Sequence, residues 1–261
     1  MNALRLLCLF FRIGLMNELQ YRANFVIQFL KSGQSLVISL LGVAVIYNHT
    51  DNLNGWRPAE LVALLGIFVF MGGLIDLVVS PSMEKLIEDV RQGTLDFTLT
   101  KPQDAQLLAS ISQVRIWRIF DVVLGMGVVA AALAHTSWTA GARELATFAV
   151  ALLAGAVIMY SFWLILSTAS FWFVRVDNIF VIFHSMYDAA RWPVTIYPGW
   201  LRAILTFLVP VTFAVTVPSQ ALIGHLGGSL LVGTLALAVG LSAGSRLLWR
   251  IGVRRYSGAS A

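Results

Sequence analysis

Residues 81–102 of this chain read P-S-M-E-K-L-I-E-D-V-R-Q-G-T-L-D-F-T-L-T-K-P. This polar segment carries seven of the chain's 31 Asp, Glu, Lys and Arg side chains. Ser82 and Gly93 are typical of residues that begin and end a helix. Between them, apolar side chains recur every three or four residues, which indicates one stripe along a helix. The sequence therefore predicts a capped amphipathic helix over residues 82–92, with a stripe formed by Met83, Leu86, Ile87 and Val90.

Long apolar runs surround the polar segment and set the class of protein. Of the 261 residues, 58% are hydrophobic and 12% are charged, whereas soluble domains carry about twice that charged fraction. Several apolar runs exceed about 18 residues, enough to cross the hydrocarbon core as helix. The net charge of +5 fits basic cytoplasmic loops better than nucleic acid binding, and the single Cys8 excludes an intramolecular disulfide. We therefore expect an all-α integral membrane protein with no nucleic acid partner.

The order of apolar and polar runs predicts a single transmembrane domain over residues 1–261. Residues 1–22 are expected to form an interfacial helix, because arginines interrupt an apolar stripe. Residues 201–222 are expected to enter the membrane and return, because Pro210 and Pro218 break a straight helix. The six spans are expected at residues 23–47, 59–80, 113–134, 144–174, 178–198 and 227–249.

The distribution of basic side chains favours six spans over seven. With six spans and a cytoplasmic N-terminus, fourteen Lys and Arg side chains lie on the cytoplasmic side and four on the outer side. A seventh span at residues 201–222 would place Arg250, Arg254 and Arg255 outside. We therefore expect both termini in the cytoplasm, with the helix at residues 82–92 lying along the cytoplasmic membrane surface.

Two parts of the sequence, residues 93–102 and residues 198–218, resemble motifs of ABC-2-type exporter permeases. Gly93-Thr94-Leu95-Asp96, with Leu99 and Lys101-Pro102, matches the pattern G-x-L-D-x-x-L-x-x-P. Pro198-Gly199-Trp200-Leu201, followed by Pro210 and Pro218, is similar to the branch in which related permeases occur in pairs beside one ATPase. The resemblance extends over nearly the whole chain, including an N-terminal elbow helix and a re-entrant segment before the last span.

This resemblance implies partners and a role for the polar segment. The helix at residues 82–92 would be the coupling helix, which receives motion from an ATPase. Two ATPase subunits and a second permease, related or identical, would complete the transporter in a bacterial cytoplasmic membrane. The residues expected to take part in coupling are Met83, Glu84, Leu86, Ile87, Val90, Arg91, Gly93 and Asp96.

The chain is not expected to hydrolyse ATP itself. Its three lysines, Lys31, Lys85 and Lys101, are preceded by Leu, Glu and Thr, so none belongs to a G-x-x-x-x-G-K-[ST] phosphate loop. No G-x-S-x-G nucleophile motif is present, and the four histidines lack the spacing of metal ligands. ATP and Mg²⁺ would therefore bind to the partner ATPase subunits, and no cofactor or metal is expected on this chain.

Three acids in or near the predicted spans are candidates for the transport pathway. A carboxylate facing lipid is costly, so Asp76, Asp121 and Asp188 are expected to have partners or a function. Asp121 lies three residues after Arg118, and Asp188 has Arg191 at i+3 and His184 at i−4, which favours local pairing. Asp76 has no basic neighbour on its own helix, so a partner on another helix and exposure to cytoplasmic water both remain open.

Aromatic residues on the fourth and fifth predicted spans, including Trp163 and Phe183, could form core packing or a wall for cationic cargo. The candidate pathway residues are Asp76, Asp121, Trp163, Phe183 and Asp188. The expected function is export of a small amphiphilic or cationic compound by alternating access. A lipid-linked glycan or a lipid is the alternative cargo. A membrane scaffold and a membrane-embedded enzyme using Asp76 and Asp121 are the alternative classes.

Overall fold

Long apolar helices dominate the computed structural model, which describes residues 22–134, 141–173 and 177–256. Five of its helices are long and apolar enough to cross a membrane, and a bent pair makes six if it counts as one span. Within the described ranges there are no β-strands, so the all-helical class is confirmed. The interfacial helix expected at residues 1–22 lies outside the described residues, except for Arg22.

Eleven α-helices make up most of the described chain, joined by short 3₁₀ and π-helical turns. The 3₁₀ turns are Ile116–Arg118, Ala169–Phe171, Asp188–Arg191 and Val194–Ile196, and the π turns are Ile75–Val79, Ile204–Leu208 and Thr212–Thr216. The α-helices are α1 Arg22–Tyr47, α2 Pro58–Leu74, α3 Ser80–Gln92, α4 Asp96–Leu99, α5 Ala105–Ser110, α6 Ile119–Ala134, α7 Ala142–Thr168, α8 Asp177–Tyr187, α9 Gly199–Ala203, α10 Val217–Leu222 and α11 Gly228–Arg255.

Helices α2 and α3 form one continuous helix, so the helix of the second predicted span, residues 59–80, does not stop before Pro81 but continues into the polar segment. The π turn Ile75–Val79 joins them, and the whole helix runs for 35 residues from Pro58 to Gln92. Pro81 has no N–H to donate to the Leu77 carbonyl four residues earlier, and the Arg115 N–H donates to that oxygen instead, at 2.8 Å. At about 1.5 Å per residue the helix is about 52 Å long, well beyond the hydrocarbon thickness.

Of the two helix caps predicted for residues 82–92, the structure confirms Gly93 and not Ser82. Ser82 does not cap a helix, because the helix already runs through it; its hydroxyl donates to the Gln113 carbonyl at 2.9 Å. Gly93 does end the helix, with a left-handed φ of 73°, and its N–H donates to the Val90 carbonyl at 3.3 Å. Residues 81–92 of the polar segment therefore continue the long helix instead of forming a separate helix.

The fifth predicted span, residues 178–198, is not a single helix. Helix α8 stops at Tyr187, a 3₁₀ turn continues to Arg191, and Trp192 is extended with φ −113° and ψ 149°. Pro193 explains the break, since a proline disfavours helical backbone at the residue before it. The following segments, Gly199–Leu208 and Thr212–Leu222, bend by 83° where Pro210 lies between them. A return of residues 201–222 to one membrane side stays a prediction.

Glycines allow α2 and α6 to cross at close range, which positions the polar groups described below. A Cβ atom at Gly125 would lie 2.6 Å from the Gly66 carbonyl oxygen, and one at Gly73 would lie 2.8 Å from the Val122 nitrogen. Small residues at helix crossings let backbones approach in this way. The contact brings the π turn of the long helix beside the first turn of α6, where Asp121 lies.

Candidate functional site

Asp76 lies on the π turn of the long helix and is buried, with 8% of its surface exposed. Its carboxylate has two partners on other elements. Oδ2 lies 2.9 Å from Arg118 Nη2, and Oδ1 lies 3.1 Å from His184 Nε2. The sequence left open either a partner on another helix or exposure of Asp76 to cytoplasmic water. The structure shows partners on other elements. Such π turns occur often at functional sites.

Arg118 joins Asp76 to a second buried acid. Its Nη1 lies 2.8 Å from Asp121 Oδ2, so the ion pair predicted from the i, i+3 spacing is confirmed. Asp121 is 7% exposed. We call Asp76, Arg118, Asp121 and His184 the acid–base network. It contains two carboxylates, one guanidinium and one imidazole, and it connects the long helix with α8 and the start of α6.

The acid–base network forms part of the wall of a cavity of about 530 Å³. Helix α1 contributes a polar face to the same cavity, and α2, α7 and α8 contribute aromatic side chains. The cavity therefore combines three acidic side chains, four basic side chains and aromatic rings in one space. Its principal lining residues are Gln28, Lys31, Ser32, Ser35, Phe68, Asp76, Arg118, Asp121, Trp163, His184, Tyr187, Asp188 and Arg191.

Asp188 and Arg191 form a second, looser pair at the cavity. Their charged groups lie 3.9 Å apart, which confirms the predicted pairing at i+3. The Asp188 side chain is 67% exposed. Arg191 also lies over the Phe68 ring, 5.6 Å from its centroid. His184, the other partner considered for Asp188, is bound to Asp76 instead.

The two aromatic candidates have different positions. Trp163 lines the cavity, and its ring meets the rings of Phe180 and His184 at centroid distances of 4.8 and 5.4 Å. Phe183 is not among the lining residues of this cavity and packs edge-on against Phe162 at 5.1 Å. Asp76, Asp121, Trp163 and Asp188 therefore share the cavity. Their role in a transport pathway stays a prediction.

Several cavity residues were not singled out from the sequence. On α1, Gln28, Lys31, Ser32 and Ser35 follow helical spacing, which is a signal of a shared polar face. Tyr187 donates its hydroxyl to the Phe68 carbonyl at 2.9 Å, and no sequence signal indicates that contact. Arg118 and His184 were noticed only as local partners of Asp121 and Asp188.

The apolar stripe of residues 82–92 faces the chain's own core, which corrects its expected use as a docking face. Met83, Leu86 and Ile87 are 0%, 1% and 4% exposed, and Val90 packs against the same core cluster. Met83 accepts a hydrogen bond from the Ser167 hydroxyl of α7, with 3.1 Å between oxygen and sulfur. These side chains are covered within the chain, and the exposed side chains lie elsewhere on this helix end.

The exposed side of this helix end is charged and carries one aromatic ring. Glu84 and Arg91 are exposed, while Gly93 and Asp96 are half-buried. Glu84 pairs with Arg115. On α4, Phe97 is 74% exposed. It lies within the G-x-L-D-x-x-L-x-x-P stretch but is not among the residues expected to take part in coupling. We call Phe97, Arg91, Gln92, Thr100 and Lys101 the exposed tip.

A further ion pair ties the loop after the exposed tip to the last helix. Asp104 Oδ1 lies 3.0 Å from Arg246 Nη1, and Gln106 Oε1 accepts from the same nitrogen at 2.7 Å. The hydrogen bond from Arg246 lowers the pKa of the Asp104 carboxyl to about 2. Ser110 and Tyr160 hydroxyls lie 2.7 Å apart in the same region, which fixes α5 against α7.

Comparison with known proteins gives one match. A family model described as "ABC-2 family transporter protein" matches residues 34–260. None of the curated proteins and none of the solved structures matches the chain. The match covers all the residues of the polar segment and most residues that line the cavity.

Proposed function

Because the chain belongs to the ABC-2 family of transporter proteins, we propose that it is the transmembrane permease subunit of an ATP-driven exporter. The observation that carries the proposal is the polar cavity of about 530 Å³ among apolar helices. Buried charges among apolar helices are costly, so they indicate a pathway by default. The proposed cargo is a small amphiphilic or cationic compound, because aromatic rings and acids line the same cavity.

The proposed transporter contains two copies of an ATP-binding cassette ATPase and a second permease. The second permease is proposed to be a related chain, with an identical chain as the alternative. ATP and Mg²⁺ bind on the ATPase subunits, and membrane lipids surround the permeases. The assembly is proposed to lie in a bacterial cytoplasmic membrane, with both termini of this chain in the cytoplasm. Cargo would leave the cytoplasm by alternating access between the two permeases.

The exposed tip is the proposed ATPase contact. Phe97 is exposed while its neighbours supply charge, and exposed aromatic residues commonly dominate the energy of an interface. Glu84, Arg91 and Asp96 would set the orientation of the partner, and Gly93 would hold the turn between α3 and α4. Met83, Leu86, Ile87 and Val90 would act indirectly, by fixing this helix end to the core.

Transport into inverted membrane vesicles tests the proposal. The chain would be produced with an ATPase and a second permease, and uptake of lipophilic cations would be measured with and without ATP. ATP-dependent uptake that disappears in vesicles lacking this chain is the expected result. Uptake of a lipid-linked glycan instead would replace the cargo but keep the subunit assignment. Failure of the chain to associate with an ATPase under these conditions would argue for the scaffold or enzyme classes.

A further inference from the structure

The acid–base network is one positive charge short of balance when His184 is neutral. Its two carboxylates, on Asp76 and Asp121, share the single guanidinium of Arg118. Buried charges without a partner carry a large desolvation cost. Imidazole is the only side chain in the network that ordinarily gains or loses a proton near neutral pH. Charge balance therefore comes from a proton on His184, from Lys31 across the same cavity, or from a cation that enters the cavity.

His184 is the replaceable partner of Asp76. Arg118 is held by two carboxylates at once, at 2.9 and 2.8 Å, and so resists displacement. His184 makes the longer contact with Asp76, at 3.1 Å, and its side chain is 46% exposed. Its ring also meets Trp163 at the cavity wall. A guest in the cavity can therefore reach the Asp76–His184 contact directly.

The other side chains around the cavity favour a cationic guest at the Asp76–His184 contact. Arg191 is balanced locally by Asp188 and lies over Phe68. Lys31 lines the same cavity from α1, and among the described residues no ion pair joins it to a carboxylate. The rings of Phe68, Trp163 and Tyr187 line the same cavity, and aromatic faces attract cations. Among the side chains that the structure describes, the charged groups around His184 are Lys31, Asp76, Glu84, Arg118, Asp121, Asp188 and Arg191.

We propose that Asp76 binds the cationic group of a cargo molecule, which replaces the His184 imidazole. This inference rests on the proposed transport function and adds the charge of the cargo and a means of regulation. Asp76 lies on the helix that continues without interruption to Gln92. Exchange of its partner therefore changes the restraint on the helix end that carries the proposed ATPase contact. A protonated His184 competes with the cargo, so cation binding strengthens as the pH rises.

Equilibrium binding to the assembled transporter in lipid nanodiscs tests this site. The probe is tetraphenylphosphonium, and tetraphenylborate, an anion of similar size and shape, is the control; binding to empty nanodiscs is subtracted. We expect the cation to bind about tenfold more tightly at pH 8 than at pH 5.5, and Asp76→Asn to weaken binding at pH 8 about tenfold. His184→Gln should remove the pH dependence. Asp51→Asn, a change at an exposed loop acid, should alter neither result.

Two results would overturn the site: cation binding that is the same at both pH values, and equal binding of tetraphenylborate. If Asp76→Asn fails to assemble, the pH profile of His184→Gln decides the question, because a purely structural histidine would leave that profile unchanged. ATP-driven transport with pH-independent cation binding would remove this inference and keep the proposed function. Intact pH-dependent cation binding in a complex that never transports would keep this inference and remove the proposed transport function.

Discussion

Gly125 lies so close to Gly66 that a Cβ atom on residue 125 would be 2.6 Å from the Gly66 carbonyl oxygen. This contact joins α6 to the long helix about one turn beyond Asp121, and the acid–base network is assembled across the same pair of helices. Any change that separates these helices should therefore disturb both folding and the cavity.

Gly125→Ala should destabilise the protein by about 1–3 kcal/mol, because the new methyl group meets backbone atoms that cannot move aside cheaply. Thermal unfolding of the purified chain in detergent measures the effect. Gly127→Ala is a matched control on the same helix, since a Cβ atom there meets nothing within 4 Å. Equal unfolding temperatures for the two variants would show that the crossing is looser than described.

Phe97→Ala should weaken binding of the ATPase by about 2 kcal/mol, roughly thirtyfold, if the exposed ring is an anchor at the interface. The measurement is a titration of the purified ATPase against the permease in nanodiscs. Phe207→Ala is the control, because that ring is 84% exposed on the bent segment, away from the exposed tip. If Phe97→Ala changes neither the ATPase affinity nor the unfolding temperature, the ATPase binds to a different surface of the permease.

Leu86→Asp should prevent stable folding instead of selectively abolishing docking. The side chain is 1% exposed within the core cluster, and a buried carboxylate without a partner carries a large desolvation cost. Size-exclusion chromatography and thermal unfolding in detergent measure the loss. Leu86→Met should behave like the unchanged protein, and Gln92→Asp tests a charge at an exposed position of the same helix. A folded Leu86→Asp chain that only loses ATPase binding would restore the stripe as the docking face.

Asp104→Asn should destabilise the loop contact with α11 by about 0.5 kcal/mol, a small value because both partners are more than one third exposed. The lowered pKa of Asp104 fixes the sign of the pH dependence. The contribution is complete above about pH 4, where the unfolded carboxyl is ionised, and is lost as the pH falls towards about 2. Arg246→Gln should cost somewhat more, because it also loses the hydrogen bond to Gln106. The double variant should cost little more than Arg246→Gln alone. Additive losses would mean that the pair does not act as a unit.

Local spacing predicted the features that depend on neighbours along the chain. The Arg118–Asp121 pair, the Asp188–Arg191 pair and the Gly93 cap follow from three- and four-residue separations and from the freedom of glycine to adopt positive φ. Apolar runs likewise indicate long helices such as Arg22–Tyr47 and Gly228–Arg255. These features need no knowledge of which helices pack together.

The remaining features depend on tertiary contacts. Pro81 indicates a helix break on local grounds, but Arg115 supplies the hydrogen bond that the Leu77 carbonyl would otherwise lack, so the helix continues. The stripe at Leu86 indicates that one helix face is covered, yet it cannot distinguish the chain's own α7 from a partner protein. Helix packing likewise decides that His184 pairs with Asp76, which lies 108 residues earlier in the chain, and not with Asp188.

The unbroken helix from Pro58 to Gln92 has a mechanical consequence. Asp76 divides it into arms of 18 and 16 residues, about 27 and 24 Å long. Arg118 ties this helix to α6 at Asp76, and the Gly66–Gly125 crossing ties the two helices together again about ten residues earlier. The two helices would therefore be displaced together as one body. We expect a displacement at the Gln92 end to reach the cavity at Asp76 through this continuous helix.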